Sequence, residues 1–538
     1  MVHLGERSYT LRFLRGVKHT TLDPEGPGVV RIHLVPPKLG FERMPSVVIL
    51  NGQDILTLKP AWTILLSVFI DQINEYEGQE LDKEDLRQIK QKTIDKMSKI
   101  YPRTNKVTFQ RDLATLVQAL LDVAYGKEPS VDIPYMSIGE YAKYMPAPHR
   151  MDLMISSMAR NGKWHCNQKC INCYAAGQPQ GETNELSTEE WKKIITKCRE
   201  VGIPQLTFTG GEPTLRNDLV ELIKYSAWFV TRLNTNGVLL SKSLCEELYE
   251  ASLDSIQITL YSSEKAIHER LTGVCRFADT VRGIENALES GLNVSVNTPL
   301  CRSNRDYAKT LQFLHEKGVR YVSCSGIILT GNALDKNAME NQMTAEEILA
   351  VIKEAAEFCK EHDMEISFTS PGIIPEDELE KLGLSAPTCG ACMSNMAIAP
   401  NGDVVPCQSW LKADAHLGNM LNDPWKRIWN APMTKYIREN SAKMTHTCPF
   451  RQGFWRRRLN YEENYFECSC LCSGVCLCFR DASCWSQSCR TAGWNSGVHH
   501  LCWYEKWRYY GHQVSYRMEG TGQYIWRSAF LGRNWHPQ

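Results

Sequence analysis

The stretch "STEEWKKIITKCREVGIPQLTFTGGEPTLR", residues 187–216, holds a helix, a glycine stop and a strand in direct succession. Ser187 and Glu190 form a capping box at the helix start, and Gly202 closes the helical pattern. "QLTFTG", residues 205–210, then reads as a short strand. The same unit recurs downstream. "TRLNTNG" (231–237), "SIQITLYS" (255–262), "NVSVNTPL" (293–300), "YVSCSGIIL" (321–329) and "EISFTS" (365–370) are further strands, with helical patterns such as "TAEEILAVIKEAAEFCKEHDM" (344–364) between them. Such alternation implies right-handed βαβ units and a parallel sheet or barrel, with the chemistry in the loops after the strands' C-terminal ends.

Bulk properties narrow the class. The chain has 538 residues, which suggests about three to four domains. Its formal net charge is zero, so there is no electrostatic case for a nucleic-acid or acidic-membrane partner. The opening "MVHLGERSYTLRFLRG" has no signal-peptide core, and the longest apolar run, "AWTILLSVFI", falls far short of a membrane span. A cytoplasmic protein is expected. In that compartment 21 cysteines cannot form a disulfide framework, and clustered ones more often bind metal or do redox chemistry.

Upstream, residues 1–145 read as an α+β region. "PSVVILNGQDILTLKP" is two strands around an Asn-Gly turn, and three helices follow in "PAWTILLSVFIDQINEY", "KEDLRQIKQKTIDKMSKIY" and "RDLATLVQALLDVAYG". The proline-bearing "KEPSVDIPYMSIGEYAKYMPAPHR", residues 127–150, reads as a linker.

Between linker and first strand–helix unit lies "WHCNQKCINCYA", residues 164–175, with Cys166, Cys170 and Cys173 in one tight loop. A bacterial ferredoxin run needs a fourth cysteine a few residues on, but the next, Cys198, sits in the 187–202 helix and reads as core. A zinc ribbon wants two CxxC pairs, and only Cys170–Cys173 qualifies nearby. His165 abuts Cys166, so the two can hardly point at one metal. What remains is a 4Fe–4S cluster with three protein ligands and an open iron for a small molecule.

This CxxxCxxC loop, followed by "LTFTGGEPTLR", resembles the radical S-adenosylmethionine (radical SAM) superfamily. The resemblance covers about residues 150–375 and implies a partial (β/α)6 TIM-like barrel. It implies that Cys166, Cys170 and Cys173 carry the cluster, that Gly210, Gly211 and Glu212 form the GGE motif, and that Glu212 receives the methionine ammonium. Asn234 and Thr259, at strand ends, would face the ribose or carboxylate. Asn172 departs from the aromatic or His that often precedes the third cysteine.

Residues 386–452 hold a second set. "CGACMSNMAIAPNGDVVPC" resembles the opening of SPASM and twitch domains, the CxxC spacing being more twitch-like. By that resemblance Cys389, Cys392, Cys407 and Cys448 close one auxiliary 4Fe–4S cluster, with Cys392 standing where many SPASM members have glycine. Cys245, Cys324 and Cys359 fall in helices or strands and read as core. The stretch 453–538 holds eight of the 21 cysteines and seven of the 14 tryptophans without any sustained period. It reads as disordered or as a departure from the ancestral frame after about Arg451.

The N-terminal "VVILNGQDILTLKPAWTILLSVFID" loosely resembles the winged-helix module that holds leader peptides in ribosomal-peptide maturation; the alternative is a helical cap over the barrel. The resemblances together imply an enzyme that cleaves SAM reductively to a 5′-deoxyadenosyl radical and abstracts hydrogen from a peptide or protein. A flavodoxin or ferredoxin would be its reductant. Modification of a small molecule, such as a tetrapyrrole or cofactor precursor, is the runner-up. A non-catalytic Fe–S carrier or sensor is the rival from another class, and it gains nothing from a SAM pocket.

Overall fold

A computed structural model describes residues 14–443, apart from residues 15, 23–29, 38–43, 53, 77–78, 80 and 143. Cys448 and the stretch 453–538 lie outside the described residues. Four antiparallel strands come first, paired in chain order: β1 (Lys18–Leu22), β2 (Val30–Val35), β3 (Ser46–Leu50) and β4 (Asp54–Leu58). The tight β3–β4 turn needs two residues at positive φ, and Asn51 (49°) and Gly52 (71°) supply them. Helices Pro60–Ile73, Lys83–Ile100 and Lys106–Ala124 follow. Asp82 and Asp85 make a reciprocal capping box on the second, and Asn105 caps the third. Ile64, Ile89, Leu113 and Leu120 from these helices pack with Ile32, Val48 and Leu56 of the sheet in one apolar core.

The linker is more ordered than its prolines suggest. Thr57 N–H donates to Pro134 O at 2.9 Å and Met136 N–H to Ile55 O at 2.8 Å, flanking an antiparallel bridge between Leu56 and Tyr135. Ile133 is buried in the same core. Proline is tolerated at such an edge position, where its missing N–H is not required by the sheet.

The second sheet begins with β5 (Arg150–Ser156), and a short ribbon, β6 (Ala159–Arg160) with β7 (Lys163–Trp164), leads into the cysteine loop. Next come β8 (Gln205–Gly210), β9 (Val230–Thr235), β10 (Ser255–Thr259), β11 (Val294–Leu300), β12 (Tyr321–Gly326) and β13 (Glu365–Phe368). Each is parallel to its neighbour, and β8 pairs with β5. β14 (Asn395–Ile398) runs parallel along the other side of β5, and β15 (Val404–Val405) turns back antiparallel on β14. The edges β13 and β15 are not joined, so the barrel is partial. The six expected strands are present, and β5 adds a seventh that the sequence reading passed over. Helix 188–201 carries the capping box expected of Ser187 and Glu190, with Gly202 at φ 82° as its stop. Cys198, Cys245, Cys324 and Cys359 are buried core, as expected.

The N-terminal module sits against the N-terminal ends of these strands. Arg31 Nη1 and Asp254 Oδ1 form a buried ion pair at 2.6 Å, one residue before β10 begins. His19 Nε2 lies 2.7 Å from Trp228 O, just before β9. A Cβ on Gly52 would come within 3.6 Å of Gln205, the first residue of β8. The module therefore covers the barrel face opposite the post-strand loops. Among the described residues, no helix is long and apolar enough to cross a membrane.

Candidate functional site

The three-cysteine loop is fastened to the C-terminal side of the barrel. Asn236, just past β9, donates Nδ2–H to Asn167 Oδ1 at 2.6 Å, and Asn332, past β12, donates Nδ2–H to Cys170 O at 3.3 Å. Lys169 N–H and Ile171 N–H donate to Thr272 O (2.8 Å) and Leu271 O (3.0 Å). Burial, then the charge of Glu212, pushes the Cys166 thiol up to about 12. Cys170 is pushed far above the usual thiol range by burial, then by Cys173 and Cys166, and Cys173 is raised by burial. The three cysteines are half-buried, and Cys166 and Cys170 each feel the charge of Cys173. Left as thiols they stay protonated, and bound iron would hold them as thiolates. Among the described residues no three His, Cys, Asp or Glu side chains converge on a single ion. Three cysteine thiolates are the donor type that holds Fe–S clusters. His165 points elsewhere, its Nε2 3.6 Å from Glu185 Oε1.

Glu212 is buried at the end of β8 and already well partnered. Its Oε1 accepts from Thr214 N (3.0 Å), Thr214 Oγ1 (2.6 Å) and Thr235 Oγ1 (2.6 Å), and Oε2 accepts from Asn236 N at 2.8 Å. Burial raises its pKa and these four donors oppose the rise. The four donors are divided unevenly, three on Oε1 and one on Oε2. Thr214, Thr235 and Asn236 were not singled out from sequence, although "NTNG" contains two of them.

The two glycines lie against the end of β5. A Cβ on Gly210, at φ 135°, would lie 2.1 Å from Ser156 O, and one on Gly211 would lie 2.6 Å from Ser157 O. The close approach to the end of β5 requires glycine at both positions. Asn234 pairs in register with Gln257 of β10, and its buried side-chain oxygen has no hydrogen-bond partner among the described residues. Thr259 is half-buried at the last position of β10, in register with Asn297.

Cys389, Cys392 and Cys407 meet in the C-terminal region. Cys392 is pushed far above the usual thiol range by burial, then by Cys407, and Cys389 also raises it; the Arg438 guanidinium opposes the shift. Its φ of 53° is a conformation that glycine adopts freely and that costs a residue with a Cβ, which accounts for glycine at this position in many SPASM members. Cys448, the proposed fourth ligand, is outside the described residues. Residues near the two cysteine sets are tied directly: Gln180 N–H donates to Leu411 O at 2.9 Å, and Leu411 N–H to Gln178 Oε1 at 3.3 Å.

Comparison with known proteins agrees with this layout. The family model for the Radical SAM superfamily matches residues 165–314, and that for the SPASM iron-sulfur cluster-binding domain matches residues 389–450. An AdoMet-dependent heme synthase of Oleidesulfovibrio alaskensis is 30% identical over 293 residues, spanning 51% of this chain and 74% of its own. A probable GTP 3',8-cyclase of Methanopyrus kandleri is 38% identical over 156 residues, spanning 28% of this chain and only 49% of its own. The crystal structure of Streptococcus suis SuiB bound to precursor peptide SuiA superimposes with a TM-score of 0.50 at 15% identity, over 76% of this chain and 93% of that one. At that identity the likeness speaks for the fold alone.

Proposed function

The chain belongs to the radical SAM superfamily and carries an Fe–S-binding SPASM domain, so it is an enzyme whose cofactors are 4Fe–4S clusters and S-adenosylmethionine; from that premise we propose that its substrate is a peptide or protein side chain. The observation that carries this reading is the N-terminal α+β module. A fold likeness reaching 76% of the chain cannot be supplied by residues 150–450 alone, and the protein it is found in was solved with a precursor peptide bound. The module resembles a peptide-holding winged helix in its strand pair followed by a Leu-x-Pro helix start, Leu58 to Pro60. A cytoplasmic setting and a flavodoxin or ferredoxin reductant complete the proposal.

In this reading Cys166, Cys170 and Cys173 hold the SAM-binding cluster, and Cys389, Cys392, Cys407 and Cys448 an auxiliary one. When bound, the first cluster supplies the electron that cleaves SAM to a 5′-deoxyadenosyl radical, which takes a hydrogen atom from the substrate. Glu212 Oε2 receives the methionine ammonium, and Asn234 and Thr259 receive ribose or carboxylate groups. The open C-terminal end of the barrel admits the side chain, and the buried walls keep water out. A peptide held on the N-terminal module must pass from one barrel face to the other. β8 spans six residues, about 20 Å, so the recognition segment and the modified residue need a spacer on the order of ten residues.

The heme synthase relative supports a second reading, modification of a tetrapyrrole. The discriminating experiment incubates the reconstituted, reduced protein with SAM and either peptides from the short reading frames flanking its gene or iron coproporphyrin. A peptide mass shift that accompanies 5′-deoxyadenosine is expected. Turnover of the porphyrin with no peptide altered would overturn the peptide reading.

A further inference from the structure

We infer that the turn Thr330–Gly331–Asn332, after β12, is the positioning element of the three-cysteine loop, with Asn332 fixing the backbone of two of its cysteines. Three successive residues of this turn engage the carbonyl groups of one short segment. Asn332 N–H donates to Cys173 O at 3.0 Å, Asn332 Nδ2–H to Cys170 O at 3.3 Å, and Thr330 Oγ1–H to Tyr174 O at 3.2 Å. Gly331, at φ 59°, lies against the same carbonyls: a Cβ there would sit 2.5 Å from Cys173 O, 2.6 Å from Tyr174 O and 2.7 Å from Ala176 O. Those oxygens belong to backbone, which cannot swing aside as a side chain can. Any residue but glycine therefore pushes the two strips of chain apart.

The opposite flank of the loop is held in the same manner. Besides the donations to Thr272 and Leu271, Gly273 at φ 69° abuts Lys169 O, where a Cβ would approach to 2.6 Å. The cysteine loop is thus clasped between the end of helix Lys265–Thr272 and the turn after β12.

The turn is itself anchored to neighbouring post-strand loops. Gln342 Nε2 donates to Ala333 O at 3.3 Å, and Arg302 N–H donates to Asn341 O at 2.8 Å. Asn341 Oδ1 accepts from Ser303 N (2.9 Å) and Ser303 Oγ (2.8 Å). Asn304 Nδ2 donates to Tyr261 O at 2.7 Å, and the Tyr261 ring packs in one apolar cluster with Cys170 and Cys301. Loops after β10, β11 and β12 are therefore linked through asparagines, and Asn332 is the last link before the cysteines. A shift of Cys170 or Cys173 by a fraction of an ångström changes the spacing of the sulfurs, and with it the electronic environment of any cluster they hold.

This inference rests on Cys166, Cys170 and Cys173 as the SAM-cluster site and is independent of the substrate. The experiment uses the full chain, reconstituted with iron and sulfide, as wild type, Asn332→Ala, Asn332→Asp and Gly331→Ala. Readouts are circular dichroism, the electron paramagnetic resonance of the reduced SAM-site cluster with and without SAM, its midpoint potential, and SAM affinity. Wild-type perturbation of the resonance by SAM first establishes the site. Both Asn332 variants should keep the fold and the auxiliary signal, broaden or shift the SAM-site resonance, and weaken SAM about fivefold, the value of one neutral hydrogen bond. Agreement between Ala and Asp would assign the effect to the lost amide donor. Gly331→Ala should lose the SAM-site signal while keeping the auxiliary one; if it fails to fold, the Asn332 pair decides. Unchanged resonance, potential and affinity in both Asn332 variants would overturn the inference, as would loss of both clusters together.

Discussion

The side-chain amide of Asn236 donates to Asn167 Oδ1 across 2.6 Å, joining the turn after β9 to the residue that follows the first loop cysteine. The backbone N–H of the same asparagine donates to Glu212 Oε2 at 2.8 Å. One residue therefore sets the carboxylate of the GGE motif relative to the cysteine loop. If Glu212 Oε2 takes the SAM ammonium, Glu212→Gln should weaken SAM by about tenfold or more, since a charge-assisted hydrogen bond is worth about 1.5–3 kcal/mol. Asn236→Ala should cost less, because the backbone donor survives. Direct titration of SAM onto cluster-loaded protein gives both numbers, and equal affinity in wild type and Glu212→Gln would make the carboxylate a fold element only.

Replacing Cys166, Cys170 and Cys173 together by Ala should abolish 5′-deoxyadenosine formation and leave the auxiliary cluster in place. Iron content, visible absorption and product chromatography check this. Any SAM cleavage retained in the triple variant would mean that the electron enters elsewhere.

The junction of the N-terminal module should be acid-sensitive. His33 is fully buried beside His19 and Trp228, and burial first, then Arg31 and His149, lowers its pKa from 6.5 to about 3. His149 is lowered by burial to about 4. The unfolded chain binds protons near pH 6.5 that the folded chain refuses, so stability is fully present above that pH and is lost as pH falls toward 3. Each such group contributes at most about 1.4 kcal/mol per pH unit in its window. His33→Leu should show a shallower loss of urea midpoint between pH 6.5 and 4. Parallel curves for the two proteins would exclude His33 as a source.

The full chain should hold about eight irons if Cys389, Cys392, Cys407 and Cys448 close one four-iron cluster. A chain ending at Gln452 retains all seven proposed ligands and should hold the same number. About four irons after truncation, against eight or more before, would identify cysteines of the 453–538 stretch as ligands.

The strand–helix rhythm was legible because short β-branched runs alternate with helical patterns, some of which open on a side-chain cap, as at Ser187, Ser241 and Thr344. β5 was not, because "RMDLMIS" follows a proline-rich linker and places Arg150 and Asp152 among its apolar residues. Those two look like loop residues until the sheet closes around them and brings Arg150 Nε within 2.9 Å of Asp152 Oδ1. The GGE carboxylate was identifiable from sequence, whereas its donors were not. In "NTNG" the choice between Asn234 and Asn236 depends on which residue still belongs to the strand. Asn234 stays on β9, while Asn236 lies past its end and reaches Glu212. The pairing of Pro134 and Met136 with β4 joins residues far apart in sequence, which no local pattern reveals.

That pairing along β4 has a kinetic meaning. A strand held by its own chain competes intramolecularly, at an effective concentration that no second molecule has to supply. A free peptide seeking the same edge would have to displace it, and so would the edges of neighbouring molecules, which guards against sheet-to-sheet aggregation. Only a ligand with additional contacts elsewhere on the module could open the zipper between Ile55 and Met136.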